Sequence, residues 1–201
     1  MKKGKLIVVS GSSGVGKGTV LKEVFAHRSD IFFSVSFTTR ECRPGETEGV
    51  SYHYISQAEF LDRIERGEFL EWVEYAGAFY GTSMTVISEQ LEQGRDVLLE
   101  IEVQGAAKVR ARMPEAVSLF IAPPSFEELS RRLHGRGTDP EEKIRRRLAI
   151  AREEIKEAIT YDYIVVNDSV QHAAAEIDAI LTAESCRAGR RAHIIEEIQG
   201  E

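Results

Sequence analysis

The chain opens with a short apolar run, Lys5 to Ser10 (KLIVVS), ended by glycine and too compact for a helix, which predicts a buried strand. A glycine-rich turn follows. From Lys17 the apolar residues Val20, Leu21, Val24 and Phe25 recur at helical spacing, so strand, loop and helix come in that order. From about Ile31 to Tyr80 the character changes. Alternating stretches such as FFSVSFTTR and EFLEWVEY, separated by the polar segment RPGETEGVS, predict a small mixed unit inserted into the main sheet. Inside it Ser56 and Glu59 form a capping box for a helix bearing Phe60, Leu61 and Ile64, with Gly67 as its stop. The parent pattern then returns as a helix from Val86 to Gln93 closed by Gly94, a strand over 97–103 (VLLEIEV) and a strand over 117–124 (VSLFIAPP). Two capped helices flank the loop HGRGT. The first is opened by Ser125 and Glu128, the second by Asp139 and Glu142 with Pro140 at the first helical position. In the second, Ile144, Leu148, Ala151, Ile155 and Ile159 form one apolar stripe. A strand over 163–167 (YIVVN) and a helix carrying Val170, Ala174, Ile177 and Leu181 complete a pattern whose natural reading is a parallel core sheet. The final RRAHIIEEIQGE is open between a further helix and a weakly packed tail.

Composition narrows the class. At 201 residues, 42% hydrophobic and 29% charged, the chain has the balance of one globular domain with a sizeable core. No apolar run approaches the length that crosses a bilayer, and MKKGKLIVVSG lacks a secretory signal's apolar stretch and cleavage site, so a cytoplasmic location without membrane contact is expected. Cys42 and Cys186 make no disulfide framework, and no Cys/His spacing resembles a zinc site. A net charge of −7 repels polyanions, which argues against nucleic acid as a partner.

The chemistry begins at Gly11-Ser12-Ser13-Gly14-Val15-Gly16-Lys17. This segment fits G-x-x-x-x-G-K directly after a strand and directly before a helix, the context a phosphate-binding loop requires. Glycines let backbone N–H groups wrap an anion, the helix N-terminus adds its positive end, and Lys17 supplies a mobile charge. One position departs from the pattern: Gly18 stands where Ser or Thr usually places a hydroxyl on magnesium, with Thr19 next, so Mg2+ would be held mainly through phosphates and water.

Three further groups each admit two readings. Arg40 and Arg43, with Tyr52 and Tyr80, suit a small phosphate monoester or are ordinary surface arginines and half-buried tyrosines. Glu71 and Glu102 lie among apolar neighbours. There a carboxylate either accepts from the N1–H and N2–H donors of guanine or pairs with a nearby arginine. Arg131, Arg132, Arg136, Lys143, Arg145, Arg146, Arg147 and Arg152 form a basic cluster across a glycine-containing loop, which suits a lid over polyphosphate or a solvated helix face.

Taken together, SGSSGVGKGTV, SVSFTTRECRPGETEGVSYHY, FLEWVEYAGAFYGT, LLEIEVQGA, FIAPPS, RRLHGRGTD and YIVVND resemble the guanylate kinase family from about Lys5 to Leu181. The resemblance implies an α/β P-loop nucleoside monophosphate kinase fold in one domain. Its parts would be a parallel core sheet with helices on both faces (about 1–34, 83–123 and 151–190), an inserted mixed α/β GMP-binding subdomain (about 35–82) and a helical lid (about 124–150). It implies an enzyme that transfers the γ-phosphoryl group of ATP to GMP, and to dGMP, with ATP and Mg2+ as donor and metal. By the same likeness Gly11 to Thr19 hold ATP with Lys17 on its outer phosphates, and Asn167 approaches the adenine. Arg40, Arg43, Tyr52 and Tyr80 hold the GMP phosphate, while Ser36, Glu71, Thr82 and Glu102 read guanine. Glu100 sits by the magnesium water shell, and Arg136 and Arg147 reach the phosphates from the lid. Family members often have serine in place of Thr82 and usually aspartate in place of Glu102.

The expected mechanism is direct in-line transfer without a covalent enzyme intermediate, the cations aligning two anions that repel each other. Two other readings compete: a kinase for another nucleoside monophosphate, and a scaffold domain that binds phosphorylated peptides without catalysis. The intact loop lysine and the absence of a further domain speak against the second.

Overall fold

The computed structural model describes residues 3–75, 77–135 and 140–200. Strand β1 (Leu6–Gly11) leads into helix α1 (Lys17–His27) and strand β2 (Ile31–Ser34). The chain then builds a separate unit from β3 (Phe37–Thr38), β4 (His53–Tyr54), α2 (Gln57–Glu65), β5 (Phe69–Tyr75) and β6 (Ala78–Ser83). It returns through α3 (Met84–Glu92), β7 (Asp96–Glu100), α4 (Val103–Arg112) and β8 (Val117–Ala122). Helices α5 (Phe126–Gly135) and α6 (Glu141–Lys156), strand β9 (Tyr163–Val166), and helices α7 (Val170–Ser185) and α8 (Ala192–Gln199) complete it.

The main sheet has the order β2-β7-β1-β8-β9 and is parallel throughout, whereas the second sheet, β4-β3-β6-β5, is mixed. Central β1 reads as an unbroken apolar run because both of its faces are covered. Ile7 and Val9 pack with Val20, Leu21 and Val24 of α1 and with Ala174, Ile177 and Leu181 of α7. Leu6 and Val8 face the other way, onto Ile87 and Leu91 of α3 and onto Val103, Ala106 and Val109 of α4. The second unit has its own aromatic centre, with fully buried Phe60 stacked on Phe69 at 4.5 Å and on Phe79 at 5.5 Å. Helices α5 and α6 share a third cluster around Leu129, Leu133, Ile144 and Ala151. Among the described residues no helix is long and apolar enough to cross a membrane.

Four expectations need correction. The strand expected over 97–103 ends at Glu100, and Val103 begins α4, which the sequence reading missed. The buried face of α4 is made largely of Gly105 and Ala106 beside two valines, too weakly apolar to announce a helix. Strand β8 stops at Ala122, short of the prolines. Pro140 stands one position before α6, with an extended ψ of 152°, and accepts a hydrogen bond from the Ile144 N–H; its proposed partner Asp139 lies outside the described residues. The apolar stripe of α6 ends at Ile155. The chain tightens into a 3-10 turn at Glu157–Thr160, whose three-residue period turns Ile159 out of phase and leaves it 83% exposed. The C-terminal segment is a helix, α8, none of whose residues is buried.

Candidate active site

Strand β1 delivers the chain to a loop whose shape depends on two glycines in the left-handed region, Gly14 at φ 90° and Gly16 at φ 97°. A Cβ on Gly14 would also stand 2.6 Å from Leu133, so α5 lies directly on the loop. Gly16 is the N-cap of α1, and Lys17, the first helical residue, folds its Nζ back to donate to the Gly11 carbonyl at 2.7 Å. Val15 is fully buried and its carbonyl is held twice, by Asn167 Nδ2 at 2.7 Å and by Arg132 Nη1 at 3.2 Å. Arg132 Nη2 also donates to the Asn167 carbonyl, tying β9, α5 and the loop together. Ser12 is buried, and its Oγ finds no hydrogen-bond partner among the described residues. Gly18 and Thr19 are exposed at the start of α1.

Asn167, expected near the donor base, is 3% exposed with its amide committed to the loop backbone. Asn167→Ala removes one of two donors to Val15 O, so a loss of about 1–2 kcal/mol is expected. Urea denaturation checks it, and unchanged stability would show that the brace contributes nothing.

The helices of the basic cluster reach the loop at Ser13. Arg147 donates from Nε and Nη2 to Ser13 Oγ at 3.2 and 2.9 Å, and the Ser13 N–H donates to Glu154 Oε2 at 3.1 Å. Burial raises the Glu154 pKa, with the Ser13 N–H and Lys17 working against it. Arg136 lies outside the described residues.

Across from the loop stand the residues of the second unit. Arg40 presents its fork to Glu46, with Nη1 and Nη2 donating at 2.9 and 2.8 Å, and its guanidinium lies 5.3 Å from the centre of the Tyr52 ring. The Arg40 pair pushes the Glu46 pKa down to about 2, helped by the Arg43 N–H and the Tyr54 hydroxyl. Tyr52 packs edge-on against Tyr80 with ring centres 5.9 Å apart, and burial pushes its pKa up to about 12. The Arg43 side chain is exposed, and its backbone N–H joins the Glu46 network.

Glu71 is 5% exposed, and the Thr82 hydroxyl donates to its Oε1 at 2.6 Å. Phe69 pairs with Ser83 while Glu71 pairs with Thr82, so an extra residue, Leu70, bulges β5 and sets Glu71 beside Thr82. Burial raises the Glu71 pKa, with Thr82 and Lys108 opposing. Glu102 is the N-cap of α4 but spends no side-chain bond on capping, which leaves its carboxylate to the cavity. Burial also raises Glu100, against the pull of Lys17. One cavity is lined by Lys17, Ser36, Tyr52, Glu71, Tyr80, Glu100 and Glu102. Thr82 joins it through Glu71, and Arg40 through Tyr52.

Sequence reasoning missed Glu46, Glu154 and the bracing role of Arg132. Glu46 stood in the quoted RPGETEG segment, three residues after Arg43, close enough to suggest a partner. Arg132 and Glu154 lie 117 and 141 residues from the loop atoms they meet, and no spacing rule signals such contacts.

A parallel sheet, a glycine-formed phosphate loop at the end of its central strand and a carboxylate- and tyrosine-lined cavity opening onto the loop lysine define an α/β P-loop kinase. The family model described as guanylate kinase matches residues 3–184. A guanylate kinase of Halalkalibacterium halodurans is 50% identical over 189 residues, 94% of this chain and 93% of that protein. One of Symbiobacterium thermophilum is 51% identical over 188 residues, 94% and 89% of the two chains. The crystal structure of guanylate kinase from Anaplasma phagocytophilum superposes with a TM-score of 0.80 at 34% identity, covering 98% of this chain and 96% of that one. The chain belongs to the guanylate kinase family and is a kinase.

Proposed function

We propose that the chain transfers the γ-phosphoryl group of ATP to GMP in the cytoplasm, with Gly11 to Thr19 and Lys17 on the donor and Arg40, Arg43, Tyr52 and Tyr80 on the acceptor phosphate. The observation that carries this reading is the shared cavity: Lys17 lines the same space as Ser36, Tyr52, Glu71 and Tyr80. Two phosphate groups repel each other, and chemistry at their junction needs cationic groups on both sides. Lys17 faces it from the loop, Arg147 approaches from α6 at Ser13, and Arg40 stands behind Tyr52. A GMP phosphate oxygen attacks the γ-phosphorus as the bond to the β,γ-bridging oxygen breaks, releasing ADP and GDP. The acceptor is already anionic at neutral pH, so no general base is required.

The lid would span about 124–150 and the GMP-binding insert about 35–82. Their closure keeps water, a competing acceptor, from the transferring group. Ser36, Glu71, Thr82 and Glu102 would read the base. Glu71 and Glu102 supply acceptors for the N1–H and N2–H donors of guanine, which adenine does not present.

The residues present suit Mg2+ bound mainly through phosphates and water. Among the described residues no three His, Cys, Asp or Glu side chains group to hold a metal by themselves. A Cβ at Gly18, where the usual loop hydroxyl would begin, lies 3.8 Å from Glu100 Oε2, so Glu100 is the side chain to hold the ion's water shell. When bound, the ion would supply positive charge that offsets the charge of the donor phosphates.

A coupled assay of ADP formation from magnesium-ATP with GMP, dGMP, AMP, UMP or CMP tests the proposal. GMP is expected to be used at least about a hundredfold better than AMP by kcat/KM, since a carboxylate facing the acceptor edge of adenine is left unpaired. Comparable use of AMP would overturn it.

A further inference from the structure

Resting on the reading that Glu71 accepts from guanine, we propose that one face of α4, formed by Gly105, Lys108 and Arg112, is the positioning element that sets base specificity. These residues are spaced i, i+3 and i+7, so they share a side of the helix. That side meets β5, the outer strand of the second sheet, whose far edge has no strand partner among the described residues. Lys108 Nζ donates to the Trp72 carbonyl and lies 4.9 Å from the centre of the Trp72 ring. Arg112 Nη1 donates to the carbonyls of Phe69 and Leu70. The carbonyls of Leu70 and Trp72 flank Glu71 in sequence, so the two cations hold the backbone on both sides of the base-reading residue.

Gly105 completes the arrangement. It lies within α4 at helical backbone angles, where alanine is the better helix former, so conformation does not call for glycine. Proximity does: a Cβ built there stands 2.6 Å from Glu71 Oε2 and 3.2 Å from its carboxyl carbon. Thr82 holds Oε1, and the helix surface at Gly105 bounds Oε2. The carboxylate is thus located from both ends, and Lys108 also favours its charged form. A methyl at position 105 displaces the flexible end of Glu71 rather than the backbone, so the fold survives while the acceptor pair moves.

The test compares full-length Gly105→Ala with wild type, with Glu71→Gln and with Gly189→Ala, a glycine with nothing within 4 Å of a built Cβ. It measures KM for GMP, KM for ATP, kcat, and the kcat/KM ratio of GMP to IMP, which lacks the exocyclic amine. Gly105→Ala is expected to raise KM for GMP by about tenfold and to shrink the GMP:IMP ratio by a similar factor, leaving KM for ATP and the melting temperature unchanged. Gly189→Ala is expected to match wild type. Wild-type GMP use and GMP:IMP ratio in Gly105→Ala, beside an impaired Glu71→Gln, would overturn the positioning inference alone. Unimpaired Glu71→Gln would overturn the base-reading assignment and the inference with it. Should Gly105→Ala not fold, Lys108→Met decides: a raised KM for GMP with unchanged KM for ATP supports the inference, and unaltered GMP use refutes it.

Discussion

Replacing Lys17 by alanine is expected to lower kcat by about a thousandfold or more, on the order of 4 kcal/mol of transition-state stabilisation. The lysine is the first residue of α1 and its Nζ already lies over the loop, 2.7 Å from the Gly11 carbonyl. A terminal phosphate entering the loop can take over that ammonium without a large rearrangement. Among the described residues, the two other cations nearest the site are already committed. Arg147 is engaged at Ser13 and Arg40 is paired with Glu46. Removing the charge also takes from Glu100 and Glu154, both raised by burial, a cation that draws both down, beside the incoming polyphosphate. Alanine suits the first turn of a helix, so the fold persists and thermal denaturation should show little change. A steady-state kcat within tenfold of wild type would remove the loop lysine from the mechanism.

Glu71→Gln is expected to raise KM for GMP by about a hundredfold while KM for ATP stays within about twofold. The amide keeps the side chain's volume, and its oxygen can still accept from Thr82. Its NH2 then replaces the second acceptor and faces the base's donors, donor against donor. Equal losses for both nucleotides would contradict a role in base recognition.

The same variant separates function from stability through pH. Burial is the first cause of the raised Glu71 pKa, so its folded value lies above the ordinary 4.5. A carboxyl raised on folding adds stability that is fully present below its unfolded pKa and lost as pH rises through the folded one. Ionised Glu71 therefore costs stability at neutral pH, and Glu71→Gln is expected to melt at or above the wild-type temperature at pH 7 while losing GMP affinity. Glu46 behaves oppositely. Held down to about 2 by Arg40, it contributes above about pH 4.5 and loses that contribution as pH falls toward 2. For catalysis the ionised form of Glu71 is needed, so acidification should impair GMP use from a pH above 4.5, and Glu71→Gln should lack that limb. A Glu71→Gln protein that melts lower than wild type at pH 7 would contradict the assigned cost.

The phosphate loop is legible in the sequence because its signal is local. A strand, three glycines, a lysine and a helix follow one another within Leu6–His27, and each residue type answers a backbone or charge requirement at its own position. The parallel sheet was legible for a related reason: strands covered on both faces read as continuous apolar runs, as β1 and β8 do. The N-cap half of the box at Ser56 is present, with Ser56 Oγ accepting from the Glu59 N–H, while Glu59 Oε1 accepts from Arg63. Helix α4 is hidden in the sequence because small residues pack its buried side, so Glu102 reads as part of a strand although it is the N-cap of that helix.

The sequence by itself determined a phosphate-binding α/β chain with its core strands, its loop and a set of residue types suited to two phosphates and a base, since each of these rests on spacing or on side-chain chemistry. Only the tertiary structure decided which of those groups meet. It placed Asn167 under the loop, gave Arg132 to the backbone of Val15, set Glu46 in the fork of Arg40, and brought Gly105 against Glu71. Most of these contacts join a side chain to groups far away along the chain, and they arise from the packing of whole elements. Such packing imposes no period and no motif, so nothing in the linear order records it.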